Sequence, residues 1–242
     1  MKLLVATPAY GGQVNVHYMT SILKLQRILE EKQIGFEFFT IHFDSLIPRA
    51  RNACVSHFLK GDASHMIFID ADVIFDANDV LRMLMSDKAL IAGVYSKKCL
   101  DIDIVNSSDA TYLNVKDMSE RAAKLNLNIG KNHVVQDGIM EVDYVATGFM
   151  MISKKSLTSF VEEHPDSEYI NDIQAYGGSQ TKSHDIFRCG VVNKRYLSED
   201  YFFCHLWRQS GRKVNVNMNI NLGHVGSFTY YSKASNMIEY KH

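Results

Sequence analysis

The sequence predicts a single α/β domain in which a mostly parallel central sheet carries helices on both faces, and three observations support this. Short apolar segments alternate with segments of helical periodicity from the N-terminus onward. The segment 66–69 is entirely apolar, which is typical of a strand covered on both faces. The chain has 242 residues, a length that fits one core better than two.

The first half, residues 1–96, predicts a regular alternation of strands and helices. The first strand should end in the turn-forming residues 7–12. Pro48 is placed to begin a helix, and Gly61 to end it, as proline and glycine commonly do. The predicted strands span residues 3–6, 36–43, 66–69 and 89–95, and the predicted helices span residues 14–33, 48–61 and 78–86. In such a sheet, ligands bind beyond the carboxyl ends of the strands.

The remainder is less regular. Residues 97–137 are polar and predict an insertion at the sheet edge, with one helix at about 117–125. Residues 165–190 contain few large aliphatic side chains and have Gly177-Gly178-Ser179 near the centre, which predicts a mobile loop or lid. The other predicted elements are strands at 139–145, 149–153 and 213–216, helices at 155–163 and 198–209, and a C-terminal tail at 221–227.

Composition excludes several classes of protein. The 26 basic and 27 acidic residues give a net charge of -1, so the broad positive field of a nucleic-acid-binding protein is missing. No apolar stretch approaches the roughly 20 residues of a membrane helix, and the apolar N-terminal run is too short for a signal peptide. The four cysteines form no CxxC pair. We therefore expect no nucleic-acid partner, no membrane span and a cytoplasmic location, in the host cytoplasm if the protein is viral.

Asp70 and Asp72 follow the predicted buried strand 66–69 directly, with Ala71 between them. Two carboxylates at this position are hard oxygen ligands that could reach one divalent ion and the phosphates bound to it. The alternative is that one aspartate caps a turn and the other is solvated. The apolar residues on both sides of the pair leave both interpretations open.

His224 and the pair Glu199-Asp200 are further candidates. His224 lies between Gly223 and Gly226, where an imidazole nitrogen would suit Mn²⁺ better than Mg²⁺, although most histidines are simply packed or solvated. The two acids stand at a predicted helix start, where interaction with the helix dipole could alone explain them.

Other polar side chains allow two interpretations each. Arg49 and Arg51 are two positions apart on a predicted helix, so at most one should face the crevice. Tyr10 could pack internally or form an aromatic wall beside a nucleobase such as uracil. Lys97 and Lys98 could be a solvated strand end or could meet a phosphate.

Several segments, in this order, resemble the nucleotide-sugar-dependent glycosyltransferases of the GT-A fold. A DxD motif alone is weak evidence, whereas the ordered set covers most of the chain outside 97–137 and 165–190. Stand-alone members in large viruses, phages and bacteria are the most similar in kind. The segments are TPAYGG (7–12), IPRARNACV (47–55), HMIFIDADVIF (65–75), VDYVATGFMMISKKSL (142–157), SEDYFFCHLWRQSG (198–211) and NLGHVGS (221–227).

The resemblance implies a GT-A fold with a nucleotide-binding half at 1–96 and an acceptor and catalytic half at 138–227. It implies Mn²⁺ or Mg²⁺ as cofactor, held by Asp70, Asp72 and His224, and Asp200 as the general base. The implied reaction is inverting transfer from a nucleoside diphosphate sugar, with a UDP-sugar expected, to a glycan or glycoconjugate hydroxyl. The implied nucleotide-sugar-binding residues are Thr7, Pro8, Tyr10, Arg51 (with Asn52), Asp70, Ala71, Asp72 and Gly148.

Three alternatives remain at this stage. A retaining transferase would need no base, and only Glu199-Asp200 weighs against it. A sugar nucleotidyltransferase usually has a glycine-rich N-terminal loop followed by arginine, which is missing after Val5. A carbohydrate- or nucleotide-binding module would not need a general base beside a pair of metal-binding carboxylates. No G-x-G-x-x-G, Walker, G-x-S-x-G or HExxH motif is present, which disfavours dehydrogenases, kinases, hydrolases and zincins.

Overall fold

A computed structural model describes residues 1–107, 111–130, 134–173 and 181–236. The helices are α1 (Val16–Glu31), α2 (Ile47–Lys60), α3 (Ala77–Leu84), α4 (Ile102–Val105), α5 (Val115–Ala122), α6 (Lys154–Glu162) and α7 (Glu199–Gln209), with a 3₁₀ turn at Pro165–Ser167. The strands are β1 (Lys2–Ala9), β2 (Gly35–His42), β3 (His65–Ile69), β4 (Val73–Ile74), β5 (Leu90–Gly93), β6 (Ser96–Leu100), β7 (Ala123–Leu125), β8 (Leu127–Asn128), β9 (Val135–Gln136), β10 (Ile139–Val142), β11 (Tyr144–Val145), β12 (Phe149–Ser153), β13 (Glu168–Asn171), β14 (Thr181–His184), β15 (Gly190–Val192), β16 (Arg195–Leu197), β17 (Val214–Asn217), β18 (Asn221–Val225) and β19 (Thr229–Lys233).

An eight-stranded sheet in the order β2-β1-β3-β12-β5-β17-β10-β9 forms the centre of the molecule. Strands β1, β2, β3, β5, β9 and β17 run in one direction, and β10 and β12 run in the other. One buried cluster, which includes Phe58 and Trp207, covers one face of the sheet. A second cluster, which includes Tyr18 and Val80, covers the other. The predicted mostly parallel α/β fold is confirmed.

Local sequence signals set the helix starts. The side chains of Asn15 and Asp76 accept hydrogen bonds from the backbone N–H groups of the second residues of α1 and α3. Pro48 lies in the first turn of α2, where its missing N–H is not needed, and Gly61 caps the other end, as predicted. Among the described residues, no helix has the length and apolar character needed to cross a bilayer.

The first strand is longer than predicted. Residues Thr7, Pro8 and Ala9 were expected in a loop, but they continue β1 because they pair in parallel register with residues 40–42 of β2. Pro8 is tolerated there because β3 pairs with β1 only as far as Ala6, so the end of the strand has a neighbour on one side. The loop therefore begins at Tyr10.

The segment 165–190 was predicted to be a loop or lid, and its described part is instead a docked hairpin. Strands β13 and β14 pair in antiparallel fashion beside α2. Asn52 of α2 donates to the Asp185 carboxylate and accepts the backbone N–H of Phe187, whose side chain is fully buried. Gly177-Gly178-Ser179 lies outside the described residues. Short-range sequence patterns missed this hairpin because its anchors come from a distant helix.

Two further segments form strands that the sequence did not indicate. The insertion contributes α5, predicted at 117–125, but residues 123–125 leave the helix to pair with β6. The predicted C-terminal tail forms the hairpin β18–β19, which also pairs with β4. His224 therefore lies on a strand opposite Val73 and not in a loop, which fixes its position beside the segment that carries Asp72.

Candidate active site

A cleft of about 680 Å³ opens where β1 and β3 end. Of the predicted site residues, Pro8, Tyr10, Arg51, Asp70, Ala71, Asp72 and Asp200 line it. Thr7, Gly148 and His224 are not part of its wall. A larger cavity of about 890 Å³ lies between α1, α3 and β18–β19, but it contains neither member of the DxD motif nor Asp200. We therefore assign the candidate site to the smaller cleft.

Asp70 is held from two sides. Its backbone N–H donates to the Gly148 carbonyl at 2.9 Å, and its carboxylate accepts from Arg51 Nη2 at 3.1 and 3.4 Å. A Cβ atom on Gly148 would lie 2.5 Å from both Asp70 Oδ2 and the Tyr95 hydroxyl. Glycine is thus required at 148 by this close approach, and Gly148 supports Asp70 from behind the cleft wall.

Arg51 is buried among carboxylates, with 4% of its side chain exposed. Its Nε lies 3.4 Å from Glu199 Oε1, and its guanidinium stacks over the Phe68 ring at 5.3 Å. Burial lowers the pKa of Arg51, but the charges of Asp70 and Glu199 outweigh burial and raise the pKa above its ordinary value. Within the described part of the chain, Nη1 has no hydrogen-bond partner.

Arg51 lines the cleft, and the expected contact of Arg51 and Asn52 with a diphosphate stays a prediction. The guanidinium joins the strand that carries Asp70 to the helix that carries Glu199, because both carboxylates need a buried counter-ion. Asn52 is fully engaged with the hairpin segment beyond β14.

Asp72 faces two nitrogen groups. Its Oδ2 lies 2.5 Å from Lys98 Nζ and 3.5 Å from His224 Nε2. Burial raises the pKa of Asp72, but the His224 and Lys98 side chains outweigh it and bring the pKa down to about 2. The carboxylate is therefore ionised at neutral pH.

His224 is oriented by its other ring nitrogen. Nδ1 lies 2.8 Å from the Ser96 carbonyl oxygen, which can only accept, so Nδ1 carries the proton of a neutral ring. Nε2 faces Asp72 Oδ2 at 3.5 Å, where it can donate to the carboxylate when the ring is doubly protonated or offer its lone pair to a metal ion when the ring is neutral. A histidine ligand is commonly fixed in this way.

The donor set fits a divalent cation through Asp72 and His224, with the remaining positions left for phosphate oxygens. The Asp70 carboxylate is turned toward Arg51. Among the described residues, no three His, Cys, Asp or Glu side chains are grouped to hold an ion. The expected ligand set of Asp70, Asp72 and His224 stays a prediction.

Asp200 lies at the start of α7 on the other side of the cleft. Its Oδ1 accepts from the Ser198 hydroxyl and, at 2.8 Å, from the backbone N–H of Tyr201. Burial raises the pKa of Asp200, and the neighbouring charge of Glu199 raises it further. A carboxylate with a raised pKa is a stronger proton acceptor than an ordinary aspartate.

The mouth of the cleft carries exposed aromatic rings. Tyr10 is 69% exposed, and its carbonyl accepts from the backbone N–H of Phe43, whose ring is also exposed. Gly12 has a φ of +65°, and a Cβ atom there would lie 2.8 Å from the Phe43 ring. Of the two interpretations of Tyr10, internal packing is excluded.

Thr7 does not face the cleft. Its side chain is fully buried, and its hydroxyl lies 2.5 Å from the Tyr18 hydroxyl. Residue alternation along β1 directs the Thr7 side chain into the core toward α1, and the expected contact of Thr7 with the nucleotide stays a prediction. Pro8 and Ala71 do line the cleft.

Sequence reasoning missed the contact of Lys98 with Asp72 and that of Glu199 with Arg51. Lys98 was one of two adjacent lysines at a strand end, and no local signal distinguished it from Lys97. Glu199 meets Arg51 across 148 positions of sequence, a contact that one sequence cannot indicate.

No protein-family model matches the chain, and no curated protein sequence matches it. Among solved structures, A197 from STIV is similar with a TM-score of 0.50 at 15% identity, over 93% of this chain and 86% of that chain. The inositol-1-phosphate CTP transferase from T. maritima gives a TM-score of 0.42 at 10% identity, over 93% and 88%. S. aureus TarS 1-349 in complex with UDP gives a TM-score of 0.41 at 10% identity, over 96% of this chain and 60% of that chain.

The likeness to A197 concerns the fold, since identity at this level carries no further information. The chain has a GT-A-type α/β fold, with its mostly parallel central sheet flanked by helices, as predicted.

Proposed function

We propose that this protein transfers a sugar from a nucleoside diphosphate sugar to a hydroxyl group of a glycan or glycoconjugate. The observation that carries the proposal is the presence of two differently tuned carboxylates in one cleft. His224 and Lys98 lower the pKa of Asp72, whereas burial and Glu199 raise the pKa of Asp200. Such a division suits one group to bind cations and the other to accept a proton.

The cleft suits the proposed donor in size and in chemistry. Its volume of about 680 Å³ lies within the range of small-molecule sites. The exposed ring of Tyr10 offers a face on which a base such as uracil can stack, so a UDP-sugar is the donor we expect. Mn²⁺ or Mg²⁺ on Asp72 and His224 would supply positive charge to the departing diphosphate.

Asp200 is the proposed general base. Its Oδ1 is occupied by Ser198 and Tyr201, so we assign Oδ2 to the acceptor hydroxyl. The proton moves from that hydroxyl to Oδ2 while the hydroxyl oxygen bonds to the anomeric carbon. The bond from that carbon to the diphosphate oxygen breaks, and the oxygen keeps the electron pair. Attack opposite the leaving group inverts the anomeric centre.

The test is a product assay on a panel of UDP-, GDP- and TDP-sugars with Mn²⁺ and mixed glycan acceptors. We expect release of UDP from a UDP-sugar and a product of inverted anomeric configuration by NMR. In a parallel assay with nucleoside triphosphates and sugar phosphates, pyrophosphate release would instead indicate a nucleotidyltransferase, and binding without product would indicate a binding module. Either result contradicts the proposal, and a retained configuration would contradict the role of Asp200.

A further inference from the structure

Lys98 makes the shorter of the two nitrogen contacts to the Asp72 carboxylate, through the oxygen that also faces His224. Its Nζ lies 2.5 Å from Oδ2, and the side chain is 41% exposed. A solvated strand end would leave this ammonium group in water. The contact instead brings a cation to the oxygen that a divalent ion on Asp72 and His224 would use.

The surroundings of Lys98 are arranged around this contact. A Cβ atom on Gly226 would lie 3.0 Å from Lys98 Cδ and 3.3 Å from Cγ, so the glycine leaves room for the lysine stem. The Ser96 carbonyl accepts from His224, and Val225 donates to the Asp72 carbonyl at 2.9 Å. These bonds fix the strand of Lys98 and the strand of His224 relative to Asp72.

We propose that Lys98 is the internal counter-ion of Asp72, which a divalent ion displaces, and that the displaced ammonium then binds the diphosphate of the donor. The inference rests on the proposed function. Two cations at one carboxylate oxygen repel each other, so Lys98 and the ion compete for Oδ2. The stem is held over Gly226, so the displaced ammonium stays close to Asp72, which lines the cleft, and can meet the phosphates that the ion attracts.

The experiment compares the wild type with Lys98→Met and Lys97→Met. Methionine keeps an unbranched stem over Gly226, and Lys97→Met controls for the loss of one positive charge. The affinity for Mn²⁺ alone is measured from the electron paramagnetic resonance signal of the free ion. The affinity for UDP at saturating Mn²⁺ is measured by calorimetry, and melting temperatures check that each variant is folded.

In Lys98→Met we expect Mn²⁺ alone to bind roughly threefold more tightly or better, since a partly exposed competitor is removed. We expect UDP to bind roughly tenfold more weakly, since a charge-assisted hydrogen bond is lost. Lys97→Met should match the wild type in both measurements.

The inference is overturned if the wild type binds both Mn²⁺ and UDP and folded Lys98→Met binds either of them with unchanged affinity. That result leaves the proposed function standing. Failure of the wild type to bind UDP overturns both together. Neither readout depends on turnover, so the two failures are distinguishable.

Discussion

Asp72 and Asp200 illustrate at the residue scale how one cleft gives two carboxylates different properties. Burial opposes ionisation of both. Asp72 has Lys98 and His224 beside it, which lower its pKa, whereas Asp200 has the like charge of Glu199 beside it, which raises its pKa. The difference comes from neighbours distant in sequence and could not be predicted from the two motifs alone.

Asp200→Asn separates catalysis from support of the helix start. The amide keeps the size of the side chain but cannot accept the proton, so kcat should fall on the order of 10²–10⁴-fold. UDP affinity and the melting temperature should stay close to those of wild type. Asp166→Asn, at an exposed position of the 3₁₀ turn, is the matched control. A folded Asp200→Asn protein with near wild-type turnover would rule out the base assignment.

The pH profile reports on the same group. A base must be ionised, so kcat/KM should fall as pH falls through the raised pKa of Asp200, above the usual range of an aspartate. Removing the charge of its neighbour in Glu199→Gln lowers that pKa, so the acid limb should move to lower pH. An acid limb that stays in place would show that another group controls the profile.

Gly148→Ala tests the support of Asp70. The new methyl group would lie within 2.5 Å of Asp70 Oδ2 and the Tyr95 hydroxyl, so both side chains must move. We expect weaker UDP binding and a loss of roughly 1–3 kcal/mol in unfolding free energy by urea titration. Gly11→Ala is the control, because a Cβ atom there meets nothing within 4 Å. Equal stabilities for the two variants would contradict the close approach.

At the scale of elements, α2 connects the cleft to the rest of the molecule. Arg51 links Asp70 to Glu199 on α7, and Asn52 holds the segment that follows β14. The start and end of this helix could be predicted, because proline and glycine act locally. Its partners could not, because they depend on which elements the tertiary fold brings to its buried face.

Asn52→Ala should therefore destabilise the protein by more than an exposed substitution does. The change leaves the buried N–H of Phe187 without its acceptor, at a cost of about 1–3 kcal/mol. Urea unfolding followed by circular dichroism gives the value. Asn106→Ala, at an exposed position after α4, should change stability by less than about 0.5 kcal/mol. A cost for Asn52→Ala as small as the control's would contradict this docking role.

At the scale of the whole molecule, the alternation of apolar and helical segments was sufficient to predict the sheet and its two helical faces. It did not predict that β12 lies antiparallel between β3 and β5, because periodicity identifies strands and not their order. It also missed the hairpins β13–β14 and β18–β19, whose pairing is specified by tertiary contacts. The second of these hairpins brings His224 to Asp72, so the surroundings of Asp72 depend on an element that the sequence pattern predicted only as a tail.

The central claim is that this cleft binds a nucleoside diphosphate through Asp72. The most direct measurement is calorimetric titration of UDP, with Mn²⁺ present, into wild type, Asp72→Asn and Glu141→Gln. Glu141, on β10, forms an ion pair with Lys213 and lies outside the cleft wall. Its variant therefore removes one acidic charge at a distance from the cleft. We predict that wild type and Glu141→Gln bind UDP equally and that Asp72→Asn binds it at least about tenfold more weakly. Equal affinity in all three proteins, or no binding by the wild type, would contradict the account.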